Sequence, residues 1–162
     1  MFDSAAGGAA QIHENIGVEL QQMWHDTLGI DMELRQMEWK VYLSAQAHLD
    51  YDLSRSSWIG DYNDPQTFLG MFTSDDGNNR TGWKNSAYDA LIQAAGSEPD
   101  VQKRAHLFNE AETLLVNDAV PIIPLYFYVG VNFFDTNRIQ GIYQNILDNH
   151  PLNSIRKIKP PK

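Results

Sequence analysis

The hydrophobic period of the chain changes abruptly near residue 29, and that change favours folds that layer helices on a sheet. Over residues 10–29 the apolar side chains recur at spacings of three and four, which predicts a helix with one buried face. Gly29 supplies a natural stop for this helix. Apolar and charged residues then alternate over 30–35, which predicts a strand buried on one face. The helical stripe consists of Ile12, Ile16, Leu20, Met23, Trp24 and Leu28.

Both patterns return further along the chain. We expect a short helix at 38–47 and a second strand at 51–59. Asp64 and Pro65 then begin another helix, the first as its cap and the second in its first turn. A long polar loop, TSDDGNNRTGWKN, follows this helix.

Two capped helices precede an apolar run. Asn85 or Ser86 caps the first helix and Asp100 caps the second, with Gly-Ser-Glu-Pro between them. The run LYFYVGVNFF, residues 125–134, is apolar on both faces, as in a central strand. We expect segments 30–34, 52–58 and 125–133 to be strands of one sheet, with IRKIKP as a last strand. The predicted fold class is α/β, a mixed sheet with flanking helices.

Composition excludes several classes of function. The formal net charge of −9 argues against a nucleic-acid partner. Basic residues concentrate only in the C-terminal RKIKPPK, which we interpret as a solvated end. The absence of cysteine excludes disulfides, thiolate metal sites and a cysteine nucleophile. No apolar run approaches the roughly 20 residues of a membrane span.

The N-terminal stretch MFDSAAGGAAQ has no basic region followed by an apolar one, so we expect no signal peptide in this chain. This pattern leaves two interpretations open. The protein is cytoplasmic, or its true N-terminus is missing.

Motifs for metal, phosphate or nucleophilic chemistry are absent from the sequence. The five histidines have no ligand spacing, and neither G-x-S-x-G nor a phosphate loop occurs. The cluster of Asp75, Asp76, Asn78 and Asn79 lacks the spacing of a calcium hand, and a solvated loop explains it more simply. We therefore predict no cofactor and no metal.

The stretch RSSWIGDYNDP, residues 55–65, places Asp61 and Asp64 beside aromatic residues. The two carboxylates could form an acid/base pair, and Trp58 with Tyr62 would suit sugar stacking. Asp61 as a ligand-facing residue and Asp64 as a helix cap is the simpler interpretation.

Several segments together resemble family-5 extracellular solute-binding proteins, the oligopeptide- and dipeptide-binding components of ABC importers. WIGDYNDP followed by Phe68-Leu69, Asn78-Asn79 and Trp83 looks like the C-terminal part of that family. The segments LGIDMELRQMEWKVYL, RAHLFNEAETLLVNDAVPIIPLYFYV and NHPLNSI resemble further family motifs in the same order. The similarity runs from about residue 10 to residue 158.

This resemblance implies part of one lobe of a type II periplasmic binding protein, a two-lobed clamp that buries peptide between its lobes. Residues 1–134 would form a partial C-terminal-lobe α/β domain, with a returning crossover strand near 126–134. Residues 135–162 would be a tail that returns to the other lobe. The implied partners are a peptide, the missing N-terminal lobe of the same protein and the membrane subunits of an ABC transporter. The full-length family is periplasmic or otherwise extracytoplasmic.

The resemblance also implies roles for individual residues. Asp61 matches the position whose carboxylate pairs with the peptide's α-amino group. The implied ligand-binding set is Asp61, Trp58, Ser57, Ile59, Arg55, Asn78 and Asn79. The segment 57–59 would offer backbone groups to an extended peptide, Trp58 would form a pocket wall, and Arg55 could pair with an acidic group. Tyr62 and Asn63 hold the turn.

Other functions remain open from the sequence. Ser56, Ser57 and Ile59 depart from the family at variable positions, which leaves peptide length and preference undecided. A member of the same family could bind an oligosaccharide, an opine-like compound or a nickel chelate. A function of a second class is that of a small glycoside-acting enzyme that uses Asp61 and Asp64. A function of a third class is a structural or assembly role, through self-association of surface exposed by truncation.

Overall fold

The computed structural model describes residues 1–3 and 8–159. The chain divides into two compact units. The first consists of Met1–Trp58 with Gly77–Gly82, and the second of Ile59–Asp76 with Trp83–Lys162. Part of the N-terminal stretch, 4–7, and the last three residues of the basic tail lie outside the described residues.

Helices dominate the first unit. Helix α1 spans Gly8–Leu28 and ends as predicted at Gly29, whose φ of 68° suits a glycine and whose N–H donates to the His25 carbonyl at 3.0 Å. Strand β1, Phe2–Asp3, pairs in parallel with β2, Gln36–Met37. Helix α2 spans Trp39–His48, and the Glu38 carboxylate caps it by accepting from two backbone N–H groups.

The predicted buried face of α1 is only partly buried in the described structure. Ile16, Leu20 and Trp24 are half-buried, whereas Ile12, Met23 and Leu28 are at least half exposed. Helix α1 is 21 residues long, and the small core of this unit covers only part of that length. That core contains Phe2, Tyr42, Ala45 and Gln46.

The second unit contains α3, α4 and α5. Helix α3, Gln66–Leu69, continues as a 3₁₀ turn over Gly70–Phe72. Helix α4 spans Ser86–Ser97 and α5 spans Val101–Thr113, followed by a π-helical turn, Leu114–Asp118. Asn85 and Asp100 cap α4 and α5, each by accepting from two N–H groups of the first turn, which confirms both predicted caps.

The core of the second unit lies where α4 packs on α5. Its buried members come from one face of each helix and from the π turn. Tyr88, at 0% exposure, also donates its hydroxyl to the Leu69 carbonyl at 2.6 Å and so ties α3 to α4. The core consists of Tyr88, Ile92, Ala95, Phe108, Ala111 and Leu115.

The prediction that three segments form strands of one sheet is wrong. None of the described segments 30–34, 52–58 and 125–133 belongs to a strand. A strand needs a partner ladder, and the hydrogen bonds seen for these segments are isolated ones, such as Arg55 N–H to the Met1 carbonyl at 2.9 Å. Strands in the second unit are instead β3, Ile139–Gln140, and β4, Arg156–Lys157, which pair antiparallel. β4 lies in the predicted last strand. Among the described helices, none has both the length and the apolar character to cross a membrane.

Candidate functional site

Residues 60–67 form a turn into α3 that we call the carboxylate turn. At its start, the Asp61 backbone N–H donates to the Thr67 hydroxyl at 2.9 Å. Thr67 is 6% exposed, so this hydroxyl acts from inside the unit. The Asp61 side chain is exposed, and no side chain of the described residues pairs with its carboxylate.

Gly60 makes close packing possible directly before Asp61. A Cβ at this position would lie 2.9 Å from the Phe68 ring and 3.0 Å from the methyl group of Thr67. Gly60 is buried against both residues. The backbone that leads to Asp61 is therefore held by the close packing of Gly60 on Phe68 and Thr67, which any larger residue at position 60 would disturb.

Asp64 lies at the other end of the turn and is fully engaged. Its Oδ1 accepts the Gln66 N–H at 2.9 Å, the kind of bond expected of a cap, although the N-cap position of α3 is Pro65. Both of its oxygens also accept from Arg104, Oδ2 from Nη1 at 2.6 Å and Oδ1 from Nη2 at 2.8 Å. This is a bidentate pair with the geometry that guanidinium and carboxylate prefer.

Arg104 is itself fixed by two further contacts. Its Nε donates to the Ala95 carbonyl at 2.9 Å, and its guanidinium lies 4.7 Å from the centre of the Phe108 ring. The hydrogen bonds from Arg104 hold the pKa of Asp64 below its usual range, and Asp64 raises the pKa of Arg104 in return.

The two carboxylates of the turn therefore differ in what they can do. Acid/base catalysis by a carboxyl pair needs one member with a raised pKa, and the pKa of Asp64 moves the other way. Asp61 alone offers a free, exposed negative charge on a fixed backbone. This arrangement suits binding of a cation better than proton transfer.

The other predicted ligand-binding residues are distributed over both units. Ile59 opens the second unit and is 72% exposed. The long segment of the first unit ends with a stretch that contains Arg55, Ser57 and Trp58. The Arg55 carbonyl accepts a hydrogen bond from the Tyr42 hydroxyl at 2.5 Å. Trp58 is 37% exposed.

Asn78 and Asn79 lie in the segment Gly77–Gly82 of the first unit. The Asn79 side-chain oxygen accepts from the N–H and hydroxyl of Thr81, at 3.1 and 2.7 Å, and so shapes its own loop. Within the described residues, no group of three or more histidines or acids is arranged to hold a metal ion.

Sequence reasoning missed Thr67 and Arg104. Arg104 lies 40 residues from Asp64, and no local pattern signals that pairing. Arg104 lies four residues before Phe108, and positions one helical turn apart are neighbours on a helix. This spacing was the signal that could have placed Arg104 beside the core.

Comparison with known proteins supports the resemblance. Residues 4–80 match the family model for bacterial extracellular solute-binding proteins, family 5 middle. The dipeptide-binding protein DppE of Bacillus subtilis is 41% identical over 143 residues, covering 88% of this chain and 25% of that protein. The chain belongs to the family-5 extracellular solute-binding proteins.

Solved structures of this family carry the same fold. The unliganded open form of the periplasmic murein tripeptide-binding protein MppA superposes with a TM-score of 0.83 at 30% identity, over 98% of this chain and 30% of that one. The fold class is thus confirmed as part of a type II periplasmic binding protein. The chain spans about a quarter to a third of the proteins it matches.

Family membership leaves the ligand open. The probable deoxycholate-binding periplasmic protein YgiS of Escherichia coli is 41% identical over 116 residues, covering 72% of this chain and 22% of that protein. The names of these relatives describe binding proteins.

Proposed function

We propose that this chain is part of a peptide-binding clamp of an ABC importer, and that Asp61 receives the α-amino group of the peptide. The observation that carries the proposal is the contrast within the carboxylate turn. Arg104 neutralises Asp64, whereas Asp61 keeps a free charge on an anchored backbone. The protein binds its ligand and performs no chemistry on it.

A fixed carboxylate suits a general peptide importer. Every unmodified peptide has the same terminal ammonium, so this contact is independent of peptide sequence. An ammonium enclosed in a cleft needs a charge-assisted partner, because burial of an unpaired charge is costly. Asp61 would supply that partner.

The other residues keep the roles that the resemblance implies. Ser57 and Ile59 offer backbone groups to an extended peptide, in the manner of strand addition. Trp58 forms a side-chain pocket wall and Arg55 pairs with an acidic group of the ligand. Asn78 and Asn79 contribute polar contacts near the cleft.

We propose that the rest of the clamp covers the apolar segment 125–134. Phe127 and Phe133 of this segment are 95% and 94% exposed in the described chain. Such a surface is costly in water and favours coverage by the other lobe or, in its absence, by a second copy of the chain. The proposed location is extracytoplasmic, next to the membrane subunits of the transporter.

The test is an Asp61→Asn substitution in a complete clamp. We would build it by replacing the matching quarter of DppE with this chain, and titrate it with trialanine by calorimetry. Asn keeps the shape and removes the charge, and breaking a buried ion pair costs about 3–5 kcal/mol. Affinity should fall by about two to three orders of magnitude.

Two controls make the result specific. Asp75→Asn removes another exposed carboxylate of the second unit and should leave affinity unchanged. N-acetyl-trialanine should bind the parent clamp as weakly as trialanine binds Asp61→Asn, and the two losses should not add, because they delete one interaction. Equal affinity of parent and Asp61→Asn for trialanine would show that Asp61 is only a turn residue.

A second candidate ligand follows from the similarity to YgiS. Deoxycholate is an anion, and Asp61 would repel its carboxylate rather than attract it. Tighter binding of deoxycholate than of trialanine by the parent clamp, increased further by Asp61→Asn, would favour that ligand class over peptides.

A further inference from the structure

Thr67 spans the carboxylate turn from inside. Its hydroxyl accepts the Asp61 N–H at 2.9 Å, and its own N–H donates to the Asp64 carbonyl at 3.2 Å. The side chain is 6% exposed and its methyl group packs under Gly60. One buried residue thus joins the beginning of the turn to its end.

Arg104 fastens the far end of the same turn to the helical core. It donates two hydrogen bonds to Asp64 and a third to the Ala95 carbonyl, and its guanidinium lies over the ring of Phe108. Phe108 is 5% exposed and belongs to the core between α4 and α5. The turn therefore has little freedom to move relative to these helices.

We infer that Thr67 and Arg104 are positioning residues for Asp61, an inference that rests on the function proposed above. Neither needs to touch the ligand. They fix the backbone on which the Asp61 carboxylate stands, so that binding an amine orders one side chain and not a whole turn. Contacts made by a pre-ordered group lose less conformational entropy on binding.

Thr67 offers a matched pair of substitutions. Thr67→Val keeps the shape of the side chain and the methyl contact with Gly60, but it removes the acceptor for the Asp61 N–H. Thr67→Ser keeps that acceptor and loses only the methyl group. A positioning role predicts that Val impairs amine recognition and Ser preserves it.

The experiment uses the 162-residue chain labelled with ¹⁵N. Trialanine and N-acetyl-trialanine are titrated in turn, and the shift of the Asp61 amide resonance gives each Kd, including millimolar values. An exposed charge pair is worth about 0.2–1 kcal/mol, so the parent should prefer the free amine by up to about fivefold. Asp61→Asn should abolish the preference.

Thr67→Ser should retain the parent's preference, and Thr67→Val should lose most of it with an unchanged Kd for the acetylated peptide. A purely structural role for Thr67 would weaken both peptides equally. The exchange rate of the Asp61 amide with solvent provides a second readout, and it should rise in Thr67→Val only.

Different results would contradict the positioning inference and the proposed function. If Asp61→Asn abolishes the preference and Thr67→Val keeps it, the positioning inference is overturned and the proposed function stands. If the parent binds both peptides equally, amine recognition by this chain and the inference fall together. Should Thr67→Val not fold, Arg104→Lys takes its place, since it keeps the charge and loses the two-pronged geometry. A fully retained preference in Arg104→Lys would then overturn the inference.

Discussion

The helical hairpin of α4 and α5 and the apolar segment 125–134 are both rich in apolar residues, yet they differ completely in burial. In the hairpin and the π-helical turn that follows it, Tyr88 is 0% and Leu115 is 1% exposed. In the segment, Tyr128 is 80% and Phe127 is 95% exposed. The two regions belong to the same unit, and residues 114–124, which include the π-helical turn, connect them.

The contrast shows how the two kinds of element find their partners. A helix satisfies its own backbone and can bury its apolar face against the next helix in sequence. A segment with the composition of a central strand needs neighbours on both edges and both faces. Composition identifies the kind of surroundings a segment requires, and says nothing of where in the chain they come from.

The largest expected difference between the two regions lies in single apolar truncations. Leu115→Ala deletes fully buried groups and should lower the free energy of unfolding by about 2–5 kcal/mol. Phe127→Ala removes an exposed ring and should change it by less than about 0.5 kcal/mol. Urea denaturation of both variants measures the two values. Comparable losses would mean that segment 125–134 is packed in solution by a second copy or by rearrangement.

A smaller difference should appear for the tyrosine hydroxyls. Tyr88→Phe removes the bond to the Leu69 carbonyl and leaves that acceptor unpaired, at a cost of about 1–3 kcal/mol. Tyr128→Phe should have no measurable effect on unfolding by urea. Burial raises the pKa of Tyr88, so the neutral form is favoured in the folded state and stability should decline as pH rises above about 10.

Spectrophotometric titration provides the check on the hydroxyl of Tyr88. In the parent, Tyr88 should ionise only on alkaline unfolding, and Tyr88→Phe should contain one such late-ionising tyrosine fewer. Loss of that late-ionising group in Tyr128→Phe instead would reverse the assignment of buried and exposed tyrosines.

The smallest expected effect concerns acid. Each region contacts a carboxylate whose pKa is lowered. Arg104 of α5 lowers the pKa of Asp64, and Asn132 of the segment, together with His150, lowers the pKa of Asp148. A lowered folded-state pKa contributes stability above the unfolded value of about 3.9, and this contribution is lost as pH falls through the folded value. Arg104→Gln should therefore lower Tm at pH 7 and make the acid decline shallower.

Asp148→Asn should leave both the Tm at pH 7 and the acid decline unchanged, because Asp148 is half exposed and salt and water screen its contacts. Thermal unfolding followed by circular dichroism between pH 3 and 7 compares the variants. A steeper decline in Arg104→Gln than in the parent would contradict the assigned role of Asp64.

The parts of the structure that sequence predicted correctly are local. The caps at Asn85 and Asp100 and the stop at Gly29 depend on bonds spanning a few residues. The prediction of the three strands failed because the pairing partners of a strand are non-local. Likewise, the hydrogen bond that Asp64 accepts from the Gln66 N–H was predictable from its own neighbours, whereas its pairing with Arg104 was not. The proposed ligand contact of Asp61 came from resemblance to a family, and it stays a prediction.

The π-helical turn at Leu114–Asp118 has a consequence for length variation. The Ala119 N–H donates to the Leu114 carbonyl at 3.0 Å, five residues back instead of four. Deleting one residue here would let the last turn close with ordinary α spacing, because a π turn holds about one residue more than an α turn. The turn can therefore absorb a one-residue deletion by changing from π to α spacing, with both the hairpin and segment 125–134 left identical in sequence.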